Sequence, residues 1–187
     1  MIFTAVLDAN VLVPYVLCDT LLRSAEAGLY RPLWSSKILD EVRGAVSRVR
    51  PDLDPSRLES RLHAMNAAFD GALVEGWEPL VEGIELGGDP HDRHVVAAAV
   101  RGGASAVITN NVRDFPDPAM ERLGLHTVSP DQFLLDLEDL DPRTMVRVIE
   151  QQGADTGNPR MTPIEILDSL GRAGVPEFAA VMRSHFA

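Results

Sequence analysis

The sequence predicts a parallel, doubly wound α/β sheet followed by a block of helices. Three observations carry that prediction. Short apolar runs alternate with amphipathic stretches up to about residue 140, and parallel strands need crossover helices between them. Two of the apolar runs end abruptly in polar clusters, Asp8-Ala9-Asn10 and Asn110-Asn111. From about Asp141 the strand-like runs stop, and three helical stretches follow, each with a proline at its start.

The elements follow in order. Ile2–Leu7 is too short for a helix before its polar stop and reads as a buried strand. Two helical pieces follow through Glu26, with Asp8 or Asn10 near the first N-terminus and Pro14 at a first turn or kink. Leu29–Trp34 is a second strand. Ser35 then caps a helix with Ile38, Leu39, Val42 and Val46 on one face. Asp54-Pro55-Ser56 opens a helix to about Phe69, and Leu73–Trp77 is a short third strand. Asp89 and Pro90 begin a helix that ends at Gly102-Gly103. Ala106–Thr109 and Leu125–Val128 are the fourth and fifth strands, and Ser129-Pro130 starts a helix to about Leu137. Pro142–Gln152, Pro163–Arg172 and Pro176–Phe186 are the added helices, with a flexible joint over Gly153–Pro159.

Composition narrows the function. A chain of 187 residues buries one good core with a small appendage. A single cysteine, Cys18, permits no internal disulfide and reads as a packed thiol. No run approaches the ~20 apolar residues of a membrane span, so a soluble, cytoplasmic protein is expected. The formal charge of −11 disfavours a protein that simply coats nucleic acid. It leaves room for a nuclease, because a bound cation reverses the local sign.

The polar strand ends carry the chemistry. Asp8 follows the first strand, and Asn111 and Asp114 follow the fourth. Asp92 sits one turn into the helix before that fourth strand, and Glu41 on the helix after the second. Four carboxylates converging on one sheet edge make a hard-oxygen pocket, the ligand type of Mg²⁺ or Mn²⁺, and such a pocket suits phosphodiester hydrolysis. Each acid also has a plainer reading: Asp8 as a cap, Asp92 as a charge at a helix N-terminus, Glu41 as solvated surface, Asp114 as an Asx-turn. His91 and His94 read as solvated positions near a helix start. Arg48, Arg50, Arg57 and Arg61 form a basic cluster that meets RNA phosphates only if it lies beside the acidic pocket.

These stretches resemble the motifs of PIN-domain ribonucleases. Val6-Leu7-Asp8-Ala9-Asn10 is similar to the family's opening motif, and Glu41 within Ile38–Val42 matches its helical acid. Asp92 within Asp89–Ala99 takes the metal-ligand position of the central motif. Ile108–Pro116 resembles the last motif, and Ser129–Leu134 the closing strand-to-helix step. The resemblance implies a PIN-like three-layer α/β/α sandwich with a five-stranded parallel sheet over residues 1–140, plus a helical extension over 141–187. It implies Mg²⁺ or Mn²⁺ held by Asp8, Glu41, Asp92 and Asp114, with Asn10, Thr109 and Asn111 supporting. It implies endonucleolytic RNA cleavage by a metal-activated water. It points to the VapC-type toxin of a toxin–antitoxin pair, with an antitoxin partner and a homodimer. Asn111 departs from the pattern: many members carry aspartate there, which shifts the burden to Asp114. The alternative is a catalytically idle PIN-like module that binds RNA or protein.

Overall fold

A computed structural model describes residues 3–86 and 90–186. The ends of two expected elements, Ile2 of the first strand and the Asp89 cap, lie outside the described residues. Five parallel strands form one sheet in the order β3-β2-β1-β4-β5. They are β1 (Thr4–Leu7), β2 (Arg31–Ser35), β3 (Leu73–Val74), β4 (Ala106–Ile108) and β5 (His126–Val128). All five coincide with apolar runs read from the sequence, and β3 is shorter than expected.

The helices are α1 (Ala9–Leu12), α2 (Tyr15–Glu26), α3 (Ser36–Val49), α4 (Pro55–Ala68), α5 (Arg93–Gly102), α6 (Asp117–Arg122), α7 (Pro130–Leu140), α8 (Pro142–Ala154), α9 (Pro163–Arg172) and α10 (Pro176–Arg183). Their starts are chemically marked. Asp8, Ser35, Asp54, Ser129, Asp141 and Thr162 each accept a backbone N–H at a helix entry. The sequence reading missed α6, whose Asp117-Pro118 start carries the same signal as its neighbours.

The strand order positions the site. The chain runs outward from β1 to β2 and β3, then returns across β1 to β4 and β5. Right-handed crossovers therefore place α1–α4 on one face and α5 on the other. The reversal of direction falls between β1 and β4, paired in register Leu7↔Ile108. Ligands of open α/β sheets bind at the carboxyl ends of strands at such a reversal.

Helix α5 is small-sided and lies close on the sheet. Val95, Val96, Ala97, Ala98 and Ala99 are all buried. Its two final glycines serve different needs. Gly103 has φ +65°, a left-handed conformation that closes the helix. At Gly102 a β-carbon would collide with Leu33 and reach within 3.1 Å of Val74.

The C-terminal helices share the main core. Met145, Ile149, Leu167, Leu170 and Phe178 belong to the same apolar cluster as the strands. Gln152 of α8 reaches α2: its amide donates to the Val16 carbonyl at 3.0 Å, and its Oε1 lies 2.7 Å from the Thr20 hydroxyl. A ring cluster of Phe3, Tyr30 and Phe133, with centroids 4.9–6.0 Å apart, fastens α7 near the start of β1. Of the segment expected to be a flexible joint, Gly153–Pro159, the first two residues end α8, and Thr156 is tied on both sides. Thr156 donates to the Gly153 carbonyl at 2.6 Å and accepts the Met161 N–H at 2.7 Å.

Candidate active site

Asp8 leaves the end of β1 with its backbone N–H bonded to the Ile108 carbonyl at 3.0 Å. Its side chain caps α1 and is only 7% exposed. One carboxylate oxygen accepts the Ala9 N–H at 2.7 Å. The other accepts the Asn10 amide and the Thr109 hydroxyl, both at 2.7 Å. The plainer reading of Asp8 as a cap is realised, and the same side chain stands buried at the end of β1.

The supporting residues form a lattice across β1 and β4. The Asn10 amide also donates to the Thr109 hydroxyl at 2.8 Å. Asn10 Oδ1 accepts the Asn110 N–H at 2.9 Å, and the Thr109 hydroxyl accepts the Asn111 N–H at 3.1 Å. Thr109 itself is fully buried. The loop after β4 is therefore locked to the loop after β1, and Asp8 cannot turn without breaking several bonds.

Burial pushes the Asp8 carboxyl above its usual range, and the nearby Glu41 charge pushes it the same way. The Thr109 and Ala9 hydrogen bonds and the His94 ring oppose that rise. Glu41, half-exposed on α3, stands close enough to act electrostatically on Asp8. It is itself held by α5, with Glu41 Oε1 2.9 Å from His94 Nε2. Lys37 Nζ is 4.0 Å from the same carboxylate oxygen.

His94 corrects the sequence reading. Expected as a solvated residue, it is 6% exposed, with its ring 6.0 Å from that of Trp77. Its Nδ1 has no hydrogen-bond partner among the described residues. A histidine opening a stretch of small apolar residues, His94-Val95-Val96-Ala97, was the available signal: that face had to lie on the sheet.

Asp92 closes a 3-10 turn, Pro90–Asp92, and occupies the N-terminal entry of α5, half-buried. Asp114 ends the turn Val112–Asp114 after β4, also half-buried, with its N–H bonded to the Asn111 carbonyl at 3.0 Å. Asn111 is exposed. The structure thus joins Asp8, Asn10, Thr109 and the Asn111 backbone directly, and adds Glu41 with His94. Asp92 and Asp114 stand on the flanking turns. Among the described residues, no group of three or more His, Cys, Asp or Glu side chains is gathered as for a metal ion. The donors that are present are hard oxygens suited to Mg²⁺ or Mn²⁺. A divalent cation would offset the burial and like-charge repulsion that raise Asp8.

No helix among the described residues is long and apolar enough to cross a membrane. No solved structure matches the chain. A curated relative, "Putative ribonuclease VapC50" of Mycobacterium tuberculosis (strain ATCC 25618 / H37Rv), is 42% identical over 95 residues, 51% of this chain and 56% of the relative. The chain thus spans little more than half the length of that relative. Residues 130–184 match the model of the VapC50 C-terminal domain, and residues 4–113 match that of the PIN domain. The second match covers four of the five strands, β1 to β4, and on it this protein belongs to the PIN-domain family; the first match and the relative make it a VapC-type member with a C-terminal helical extension.

Proposed function

We propose that the protein is a metal-dependent endoribonuclease that cleaves RNA phosphodiester bonds as the toxin of a toxin–antitoxin pair. The observation that carries this reading is Asp8: a buried carboxylate at the sheet's reversal point, raised by burial and by Glu41. The name of the M. tuberculosis relative supports it. Asp8, Glu41, Asp92 and Asp114 are the proposed ligands of Mg²⁺ or Mn²⁺. When bound, such an ion supplies charge neutralisation at the scissile phosphate and lowers the pKa of a water.

The chain's own residues have separable tasks. Thr109 and Asn10 fix the Asp8 carboxylate and leave it no free rotation. His94 orients Glu41 from the α5 side. The Asn110 and Asn111 N–H groups tie the β4 loop to that framework, which sets where Asp114 stands. A cognate antitoxin, a homodimer and a cytoplasmic location complete the proposal. So does a division into a nuclease domain, 1–140, and a helical extension, 141–187.

The test is cleavage of a labelled RNA by the wild-type protein with Mg²⁺, with Mn²⁺ and with EDTA, beside a folded Asp8→Asn variant. Cleavage that needs the cation and disappears in the variant is the expected result. Equal cleavage by Asp8→Asn, or cleavage unaffected by EDTA, rejects it. RNA binding without any cleavage would instead favour the idle-module reading.

A further inference from the structure

Among the described residues, two buried side-chain polar atoms have no hydrogen-bond partner, and they sit on consecutive residues: Arg93 Nε and His94 Nδ1. Both open α5 directly after Asp92. Buried polar groups without partners are few in native proteins, and each calls for a reason. Two side by side mark the entrance of α5 as built to meet a further group.

That entrance lies at the acid edge. Helix α5 leads into β4, so its start stands over the carboxyl ends of the parallel strands. His94, 6% exposed, sets its Nε2 2.9 Å from Glu41 Oε1, and both groups act electrostatically on Asp8. Arg93 is therefore flanked in sequence by Asp92 and by the residue that touches Glu41. It is half-buried, and among the described residues its guanidinium enters no hydrogen bond or ion pair. Other arginines are spent on the fold. Arg23 lies between Asp19 and Asp155. Of the basic cluster read from the sequence, Arg50 pairs with Asp52 and Arg61 donates to the Leu12 carbonyl. In a chain of formal charge −11, carboxylates are plentiful, yet none is spent on Arg93.

We infer that Arg93 binds a backbone phosphate of the RNA that enters the acid site. The choice of RNA as the bearer of that phosphate rests on the proposed nuclease reading. A guanidinium only donates, and its fork matches two phosphate oxygens. The first N–H groups of α5 and the positive end of its dipole favour an anion at the same place. Burying the Arg93 Nε–H without an acceptor costs the free protein stability, and a phosphate oxygen removes that cost. Arg93 makes and breaks no bond. It holds the phosphate and offsets its charge beside carboxylates that would otherwise repel it.

The experiment measures anisotropy of a fluorescein-labelled, mixed-sequence, single-stranded RNA 12-mer in EDTA over a range of KCl concentrations. Wild type is compared with Arg93→Ala, Arg93→Lys and Arg160→Ala, the last at an exposed position of the extension. Arg93→Ala is expected to flatten the plot of log affinity against log salt by about 0.7, one phosphate contact. Arg93→Lys, which keeps the charge, and Arg160→Ala should both keep the wild-type slope. Mn²⁺ binding, read by electron paramagnetic resonance, should be the same in Arg93→Ala as in the wild type. An unchanged slope in Arg93→Ala overturns the inference, as does an equal flattening in Arg160→Ala or the absence of RNA binding by the wild type. Weaker Mn²⁺ binding in Arg93→Ala also overturns it, because Arg93 would then act by placing Asp92. A wild type that binds RNA through Arg93 without cleaving it defeats the nuclease reading and leaves this inference standing.

Discussion

The acid edge and the C-terminal helices treat their carboxylates in opposite ways. At the edge, Asp8 is buried, and burial with Glu41 beside it raises its pKa. In the helical block, Asp141 accepts from the Thr144 hydroxyl and N–H, and Glu165 from the Thr162 N–H and hydroxyl. Those bonds hold both carboxyls below their usual range. Asp141 caps α8 and Glu165 completes the capping box of α9, and ionisation of both favours the fold. Asp8 is a group whose ionisation opposes it. The contrast separates residues retained for folding from one held in an environment that a bound cation would relieve. It also gives the regions opposite dependences on pH. Raised in the folded state, Asp8 contributes stability at low pH that is lost as pH rises through its folded pKa. Lowered in the folded state, Asp141 and Glu165 contribute stability above the ordinary carboxylate value that is lost as pH falls.

Substitutions sharpen the comparison when activity and melting are read together. The largest divergence is expected for Asp8→Asn. Metal-dependent cleavage should fall below detection. The wild type should lose melting temperature relative to the variant as pH rises through the folded Asp8 pKa, because only the wild-type acid ionises there. A relative gain by the wild type as pH rises would contradict this account. Phe178→Ala, on the fully buried face of α10, should do the reverse. A loss of about 3–5 kcal/mol in denaturant unfolding is expected, with cleavage per folded molecule retained. Thr109→Val removes the hydroxyl that serves Asp8, Asn10 and Asn111. Cleavage should fall about 10–100-fold, the usual effect of losing a group that orients a ligand. Near-normal rates would place the lattice outside catalysis. The smallest effect is expected for Asp131→Ala. This carboxylate on α7 accepts the Glu177 and Phe178 N–H groups at the start of α10. About 1 kcal/mol of stability should be lost, with no change in cleavage.

Much of this arrangement was readable from local chemistry. The strands announced themselves by apolar runs, and helix entries by Ser35, Asp54, Ser129 and the proline at 142, because caps and periodicity act within a few residues. Asp8 was identifiable for the same reason, as a carboxylate ending a buried strand. What escaped depends on partners far apart in sequence. The Glu41–His94 pair joins helices on opposite faces of the sheet, and the Thr109 lattice joins residues about a hundred positions apart. The bonds of Thr156, within the stretch Gly153–Pro159, also needed partners that its glycine and proline content did not announce, among them Met161.

Gly102 carries a mechanical consequence. It touches the sheet where no side chain fits, at the far end of the helix that begins beside Asp92 and bears His94. Over ten residues, about 15 Å of rigid rod, contact at one end fixes height at the other. A single methyl there would press on the ends of the Leu33 and Val74 side chains, and either these repack or the rod shifts, carrying Asp92 and His94 with it. The seating of α5 on the sheet is therefore set partly by a clearance at the end opposite Asp92, at a position with no polar atom to mark it.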